Sequence, residues 1–195
     1  SMSGDDRLFF GTYSNKFWTW KDKGGGGASA YPINLASETG TPSGQTVTMT
    51  INNGTYTGAY QAMDGSMYLI NATDSTIDRF VYASGVGQFI KTNSLNWPGG
   101  VTITAIAADP ASDDLYALTP STERIYHYPN RTMDNVTTGT FYDISASITQ
   151  PTGLAINGRN GDFLVMDSYP SIAGDCFLVI FAANSNTWKK SIRIV

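Results

Sequence analysis

The chain is poor in the residues that most enzymatic chemistry needs. Its 195 residues include one histidine, His127, one cysteine, Cys176, and two glutamates, Glu38 and Glu123. Zinc sites and acid–base pairs draw on clusters of His, Cys, Asp and Glu. With His127 and Cys176 far apart in sequence, no catalytic residue and no metal ligand is assigned. A single cysteine excludes an intrachain disulfide. Within Cys176-Phe177-Leu178-Val179-Ile180 it reads as a small buried hydrophobe. His127, between Tyr126 and Tyr128, reads as a half-buried strand residue.

Charge is also scarce. Charged residues make up 14% of the chain, with a net charge of −4 and a pI of about 4.7; soluble domains usually carry about 25%. No basic cluster exceeds Lys189-Lys190, apart from the spaced Lys16, Lys21 and Lys23. Nucleic acid is therefore not an expected partner, since phosphates call for a basic stripe. No apolar run approaches the roughly 18 residues of a helical membrane span, and no useful stretch of 3.6-residue periodicity appears. Residues 1–4 (Ser1-Met2-Ser3-Gly4) read as the remnant of a cleaved tag. Residues 5–195 read as one domain.

What the chain has is Thr, Ser, Asn, Gly and aromatics, the residues of strands and of the turns between them. They recur. Tyr56–Ala62, Val101–Ala107 and Gln150–Asn157 each place a Thr before a small or apolar run, and each is trailed by a turn. A second apolar strand follows in each case: Met67-Tyr68-Leu69-Ile70, Leu115-Tyr116-Ala117-Leu118 and Phe163-Leu164-Val165-Met166. Met67, Leu115 and Phe163 stand 48 residues apart. About 50 residues before Met67 lies Phe17-Trp18-Thr19-Trp20. Third strands are expected at Tyr31–Asn34, Arg79–Tyr82, Arg124–Tyr128 and Cys176–Phe181. Fourth strands are expected at Thr46–Ile51, Gln88–Lys91, Thr140–Ile144 and Trp188–Val195.

Strands spaced this way suit a sandwich, barrel or propeller, and only the propeller also predicts a four-strand repeat. The expectation is an all-β protein: a β-propeller of about four antiparallel blades, at approximately 5–54, 55–100, 101–149 and 150–195. The first strand of each blade would be innermost, hence the small Gly58, Ala59, Ala105, Ala107, Gly153 and Ala155. The second and third would be covered on both faces. The fourth would be a polar outer edge.

Pro151–Ile156, Gly161–Ser168 and Phe177–Phe181 resemble an NHL-type repeat, in the wider group with YWTD and lactonase-type propellers. Asp109-Pro110, Leu115-Tyr116-Ala117 and Arg124-Ile125-Tyr126 are similar. The resemblance covers about residues 56–182. NHL-type propellers usually have six blades, and this chain holds about four. It would be a four-bladed ring, a partial ring that closes by oligomerising, or a part of a larger ring. The lactonase-type resemblance implies a divalent cation held in the channel by Glu, Asn and Asp. No matching set is placed here.

Candidate binding residues come from loops. Asp78, Glu123 and Asp175 are each read as lying just before a third strand, and Asp78-Arg79 and Glu123-Arg124 as a repeated acid–Arg pair. They would cap turns, or ring one face with acid. Asn71 and Asp74 lie in the loop after a second strand. Trp97, in Trp97-Pro98-Gly99-Gly100, and Tyr169 read as recognition aromatics, with a plug between blades as the alternative for Trp97. Both are expected to be removable with little loss of folding. The loops 21–28, 71–78, 119–123 and 168–175, with the Trp97 loop, would share one face, opposite tighter turns such as Asp64-Gly65 and Asn160-Gly161.

Other motifs carry less. Asp109–Asp114 lacks the order of a calcium loop, so no cofactor is assigned and Ca²⁺ is left open. Gly24–Gly27 fails as a phosphate loop. Four Asn-x-Ser/Thr sites (Asn53, Asn71, Asn130, Asn135) are close to what 41 Ser and Thr and 13 Asn give by chance. The reading is a non-enzymatic binding module with a protein or glycan partner, at a cell surface or on a virus particle. The alternative is a lactonase-type hydrolase or lyase with a channel cation.

Overall fold

A computed structural model describes residues 56–62, 64–83, 85–86, 88–112, 114–131, 140–168 and 175–194, together with the backbone of four earlier strands. Those are β1 (Asp6–Phe9), β2 (Phe17–Asp22), β3 (Gly27–Ile33) and β4 (Val47–Thr50). They pair antiparallel in sequence order. The second blade is β5 (Tyr56–Gln61), β6 (Met67–Asn71), β7 (Thr76–Ala83) and β8 (Gln88–Asn96). The third is β9 (Ala105–Ala108), β10 (Leu115–Thr119), β11 (Arg124–Tyr128) and β12 (Phe141–Asp143). The fourth is β13 (Pro151–Ile156), β14 (Phe163–Ser168), β15 (Cys176–Phe181) and β16 (Trp188–Ile194). Helix among the described residues is limited to two three-residue 3-10 turns, at Pro129–Arg131 and Ser145–Ser147.

The chain divides into two compact units, residues 1–94 and 95–195. In the first, the fourth strands expected to be edges are joined: β4 and β8 pair in parallel through Thr48↔Gln88 and Met49↔Phe89, making one eight-stranded sheet. An edge strand offers unpaired backbone groups, and pairing two of them removes that exposure. In the second unit the third and fourth blades form separate four-stranded sheets, and β9 lies beside β13.

Register explains the apolar runs. Met67, Leu115 and Phe163 each open the second strand of a blade and are fully buried. All five residues of β6 and all five of β10 are buried, so both faces of these strands are covered. In the second unit Tyr116, Leu118, Ile125, Phe163, Val165, Val179 and Phe181 form one core with Ile144 and Ile148. Gly153, on the inner strand β13, lies against the next strand: an added Cβ would come into van der Waals contact with the Met166 Cβ, at 3.4 Å.

The first-to-second strand turns repeat as closely as the strands. Ala62, Asp109 and Asn157 each donate their backbone N–H to the carbonyl of Ser66, Asp114 and Asp162 respectively, at 2.9 Å. Gly65 and Gly161 supply the positive φ these turns need, 83° and 74°.

Candidate functional site

The candidate residues of the first unit, Asn71, Asp74 and Asp78, are brought together; Asn71 and Asp78 are buried, whereas Asp74 is exposed. Asn71 ends β6 fully buried. Its Oδ1 accepts the N–H groups of Thr73 and Asp74, each at 3.1 Å, closing the turn. Its Nδ2 donates to Asp74 Oδ2 at 2.9 Å and Asp78 Oδ2 at 3.2 Å. An Asn so enclosed is no glycan acceptor. Asp78 is not before the third strand but inside β7, with a fully buried side chain. It accepts from Tyr56 OH at 3.0 Å, Thr76 Oγ1 at 2.9 Å and Ser94 Oγ at 2.8 Å, and pairs with Lys91 Nζ at 2.9 Å. Burial pushes its carboxyl pKa up, but Lys91, Ser94, Thr76 and Asn71 outweigh that and hold it below the usual value. This cluster ties all four strands of its blade together.

In the second unit Glu123 and Asp175 do stand just before β11 and β15, as expected. Arg124 pairs with Asp143 at 3.7 Å and its guanidinium lies 4.2 Å from the centre of the Phe141 ring. Asp175 pairs with Arg193 at 2.7 Å. Among the described residues, no group of three or more His, Cys, Asp and Glu is placed to hold a metal ion. Tyr169 lies outside the described residues, as do residues 24–26, Asn53 and Asn135.

The acid–Arg repeat is corrected by strand register. Thr76 faces Asn71 and Arg124 faces Thr119, so Arg124 is the counterpart of Thr76. Arg79 faces Tyr68 as His127 faces Tyr116, so those two correspond. Glu123 then corresponds to Ser75, and both take a left-handed backbone, φ 50° and 55°. The matching dipeptides were a coincidence of composition, three residues out of step.

Trp97 is 8% exposed, with Nε1 enclosed and unpaired among the described residues. That burial does not suit a displayed recognition aromatic; the exposed part of the loop is Gly99 and Gly100. Loop length does not mark one face either. The second-to-third loops at 72–75 and 120–123 have four residues each, whereas the first-to-second turns at 62–66 and 109–114 have five and six.

The 48-residue step also links Asn71 to two buried polar positions that were passed over, Thr119 and Asp167. Asn71, Thr119 and Asp167 are equivalent, all buried, and each bonds the loop end of its own blade. Thr119 Oγ1 lies 2.7 Å from Thr122 Oγ1 and donates to the Arg124 carbonyl at 3.1 Å. Asp167 accepts from the backbone of Thr149 and Gln150 at 3.2 and 2.6 Å. Beside them, Thr57, Thr104 and Thr152 occupy equivalent exposed positions at the start of the inner strands; Thr57 and Thr152 are bulged out of register. At the other end of the blades, Asp64, Asp114 and Asp162 are each paired with a base further out in the same blade. The partners are Arg79 at 3.5 Å, His127 at 2.8 Å and Lys189 at 2.8 Å. His127 is indeed half-buried, and stacks on Tyr116 with ring centres 5.0 Å apart.

Comparison with known proteins bears on the fold. No family model matches the chain, and no curated protein resembles it in sequence. Solved structures do match. Hydrazine synthase of Kuenenia stuttgartiensis aligns with 96% of this chain and 48% of its own, at a TM-score of 0.60 and 11% identity. A chain of the nidogen/laminin complex aligns with 87% and 58%, at 0.59 and 14%. The β-propeller domain of Myceliophteria thermophila Cps50 (Swd1) aligns with 84% and 51%, at 0.55 and 11%. The fold is a β-propeller. A luciferin-regenerating enzyme also matches, over 88% of this chain and 58% of its own, at 0.55 and 14%. The propeller chain thus spans about half the length of the structures it matches. At these identities the likeness concerns the fold.

Proposed function

We propose that this propeller is a non-enzymatic binding module that presents the second-to-third loop end of its blades to a glycan or protein partner. The observation that carries the reading lies in the second unit. Thr102, Thr104, Ser121, Thr149, Gln150 and Thr152 are all exposed at that end, before β9, after β10 and before or on β13. Neutral hydroxyls and amides donate and accept with little desolvation cost, as recognition of a glycan's own hydroxyls requires. The neighbouring charges Arg124 and Asp175 are already paired within their blades. Tyr169, in the loop between β14 and β15, is proposed as the aromatic contact at this end. A relation to NHL-type repeats and a place at a cell surface or on a virus particle belong to the same reading.

The test is a printed glycan array and a panel of surface proteins, probed with the purified chain. A ligand found there is then titrated against Ser121→Arg, which crowds the loop end, and Arg159→Glu, an exposed change at the opposite turns. Ser121→Arg is expected to weaken binding at least tenfold and Arg159→Glu to leave it unchanged. The reverse pattern overturns the choice of face. Stoichiometric divalent metal in the purified protein, with hydrolysis of a lactone panel, overturns the non-enzymatic reading.

A further inference from the structure

The turn between β13 and β14 holds two Asn-Gly pairs, Asn157-Gly158 and Asn160-Gly161. Asparagine is thermolabile, because the backbone nitrogen that follows it can attack its side-chain amide. A following glycine, with no Cβ, leaves that nitrogen unshielded. By sequence the two pairs are alike; by hydrogen bonding they are not. Asn160 Nδ2 donates to Asp162 Oδ2 at 2.9 Å, and Asn160 Oδ1 accepts the Asp162 N–H at 3.1 Å. The Gly161 N–H that would attack Asn160 is itself given to the Asn157 carbonyl at 2.8 Å. Carbonyl, leaving group and nucleophile are all engaged. The Asn157 side chain is held at one atom, Oδ1, which accepts the Arg159 N–H at 3.1 Å. That bond draws electrons from Cγ. Asn157 Nδ2 and the Gly158 N–H have no hydrogen-bond partner among the described residues. Asn157 is half-buried and Gly158 exposed, so water reaches both.

We propose that Asn157 is a site of spontaneous deamidation, and that Asn160 in the same turn is protected from it. The Gly158 nitrogen gives up its proton and bonds to Asn157 Cγ. The Cγ–Nδ2 bond breaks, and Nδ2 leaves as ammonia with the equivalent of that proton, closing a succinimide. Water then opens the ring at one of its two carbonyls. One opening leaves aspartate; the other leaves isoaspartate, whose main chain runs through Cγ. The third blade shows what each product does to the turn. Asp109 stands where Asn157 does: each donates its backbone N–H across the turn, to Asp114 and Asp162, at 2.9 Å. Asp109 Oδ1 accepts the Ala111 N–H at 2.9 Å, as Asn157 Oδ1 accepts that of Arg159. Pro110 follows Asp109 and has no N–H to attack with. Aspartate at 157 therefore fits the turn as it stands. Isoaspartate puts an extra main-chain carbon inside the loop that the Asn157–Asp162 bond closes. The proposal stands apart from the loop-end reading and does not rest on it.

The test follows both asparagines by mass spectrometry in purified chain aged in warm, mildly alkaline buffer, folded or in urea. Trypsin cuts after Arg159 and puts them on different peptides. In the folded chain Asn157 should convert at least about tenfold faster than Asn160, which must wait for the turn to open. In urea the two rates should converge to within about threefold, since both lose their hydrogen bonds. Gly158→Ala has room, because the added Cβ would come to 3.4 Å from the Pro110 Cγ. It should slow Asn157 severalfold and leave Asn160 unchanged. Asn157→Asp should melt with the wild type, and chains enriched in isoaspartate should melt lower. Asn160 converting as fast as Asn157 in the folded chain overturns the proposal. So does an Asn157 that stays intact, a rate ratio that urea leaves unchanged, or a Gly158→Ala chain that ages like the wild type. An Asn157→Asp chain that melts well below the wild type overturns the account of the products.

Discussion

Asp78→Asn is the sharpest probe of the blade's interior. The variant keeps the size of the side chain but replaces one acceptor oxygen with an NH₂ group. On the Oδ1 side that group would meet Thr76, Ser94 and the Lys91 ammonium; on the Oδ2 side it would meet Tyr56 and the Asn71 amide. The hydroxyls can turn to accept. Lys91 and the Asn71 NH₂ cannot. Either way one donor faces another, and the remaining bonds lose their charge assistance, worth about 1.5–3 kcal/mol against about 1 for a neutral bond. Breaking a fully buried pair costs about 3–5 kcal/mol. Lys91 keeps 26% of its side chain exposed and can turn to water, which lowers that figure. A loss of about 2–3 kcal/mol follows, or a Tm lower by about 5–10 °C for a chain of this size. Urea and thermal melts at pH 7 measure it. Because the folded carboxyl titrates below its usual value, its contribution is complete above that value. It is lost as pH falls below the unfolded value of 3.8 towards the folded one. The gap between wild type and variant should therefore close in acid. A loss under about 0.5 kcal/mol at pH 7, the size of an ordinary surface change, refutes the reasoning.

Leu115→Ala, at a fully buried position in β10, should cost about 2–5 kcal/mol by urea melt. Far-ultraviolet circular dichroism should show strand with under about 15% helix, as a propeller repeat leaves little room for more. Trp97→Ala should now destabilise the chain by about 3–5 kcal/mol in the same melts, because its indole is buried.

The architecture was legible because it is written in a period. Apolar pairs of strands step by 48 residues, and chance does not keep Met67, Leu115 and Phe163 in phase. The site was legible in part. Asn71, Asp74 and Asp78 do meet, yet Asn71 and Asp78 are buried within the blade and Asp74 alone is exposed. Polarity alone cannot distinguish an Asp that faces solvent from one enclosed by five donors. Trp97 misled for a similar reason: a Trp before Pro-Gly-Gly sits in a loop whether or not the loop folds over it. The Asp78-Arg79 and Glu123-Arg124 match failed because two-residue motifs recur by composition. Applying the same step to polar positions exposes the Asn71, Thr119 and Asp167 series, which dipeptide matching overlooks.

The pairs Asp64–Arg79, Asp114–His127 and Asp162–Lys189 all begin and end within a single blade. In the second unit the third and fourth blades meet through apolar side chains. Two kinds of cohesion are thereby separated in space, and they answer to different solvents. High salt loosens the Asp64–Arg79 and Asp162–Lys189 contacts of individual blades, since exposed ion pairs are screened. Cooling weakens the attraction between blades while the ion pairs persist. A gene encoding such a chain can accept a new loop or turn in one blade without renegotiating the seam with the next. That partition would let the rims diversify while the stack stays recognisable at 11–14% identity.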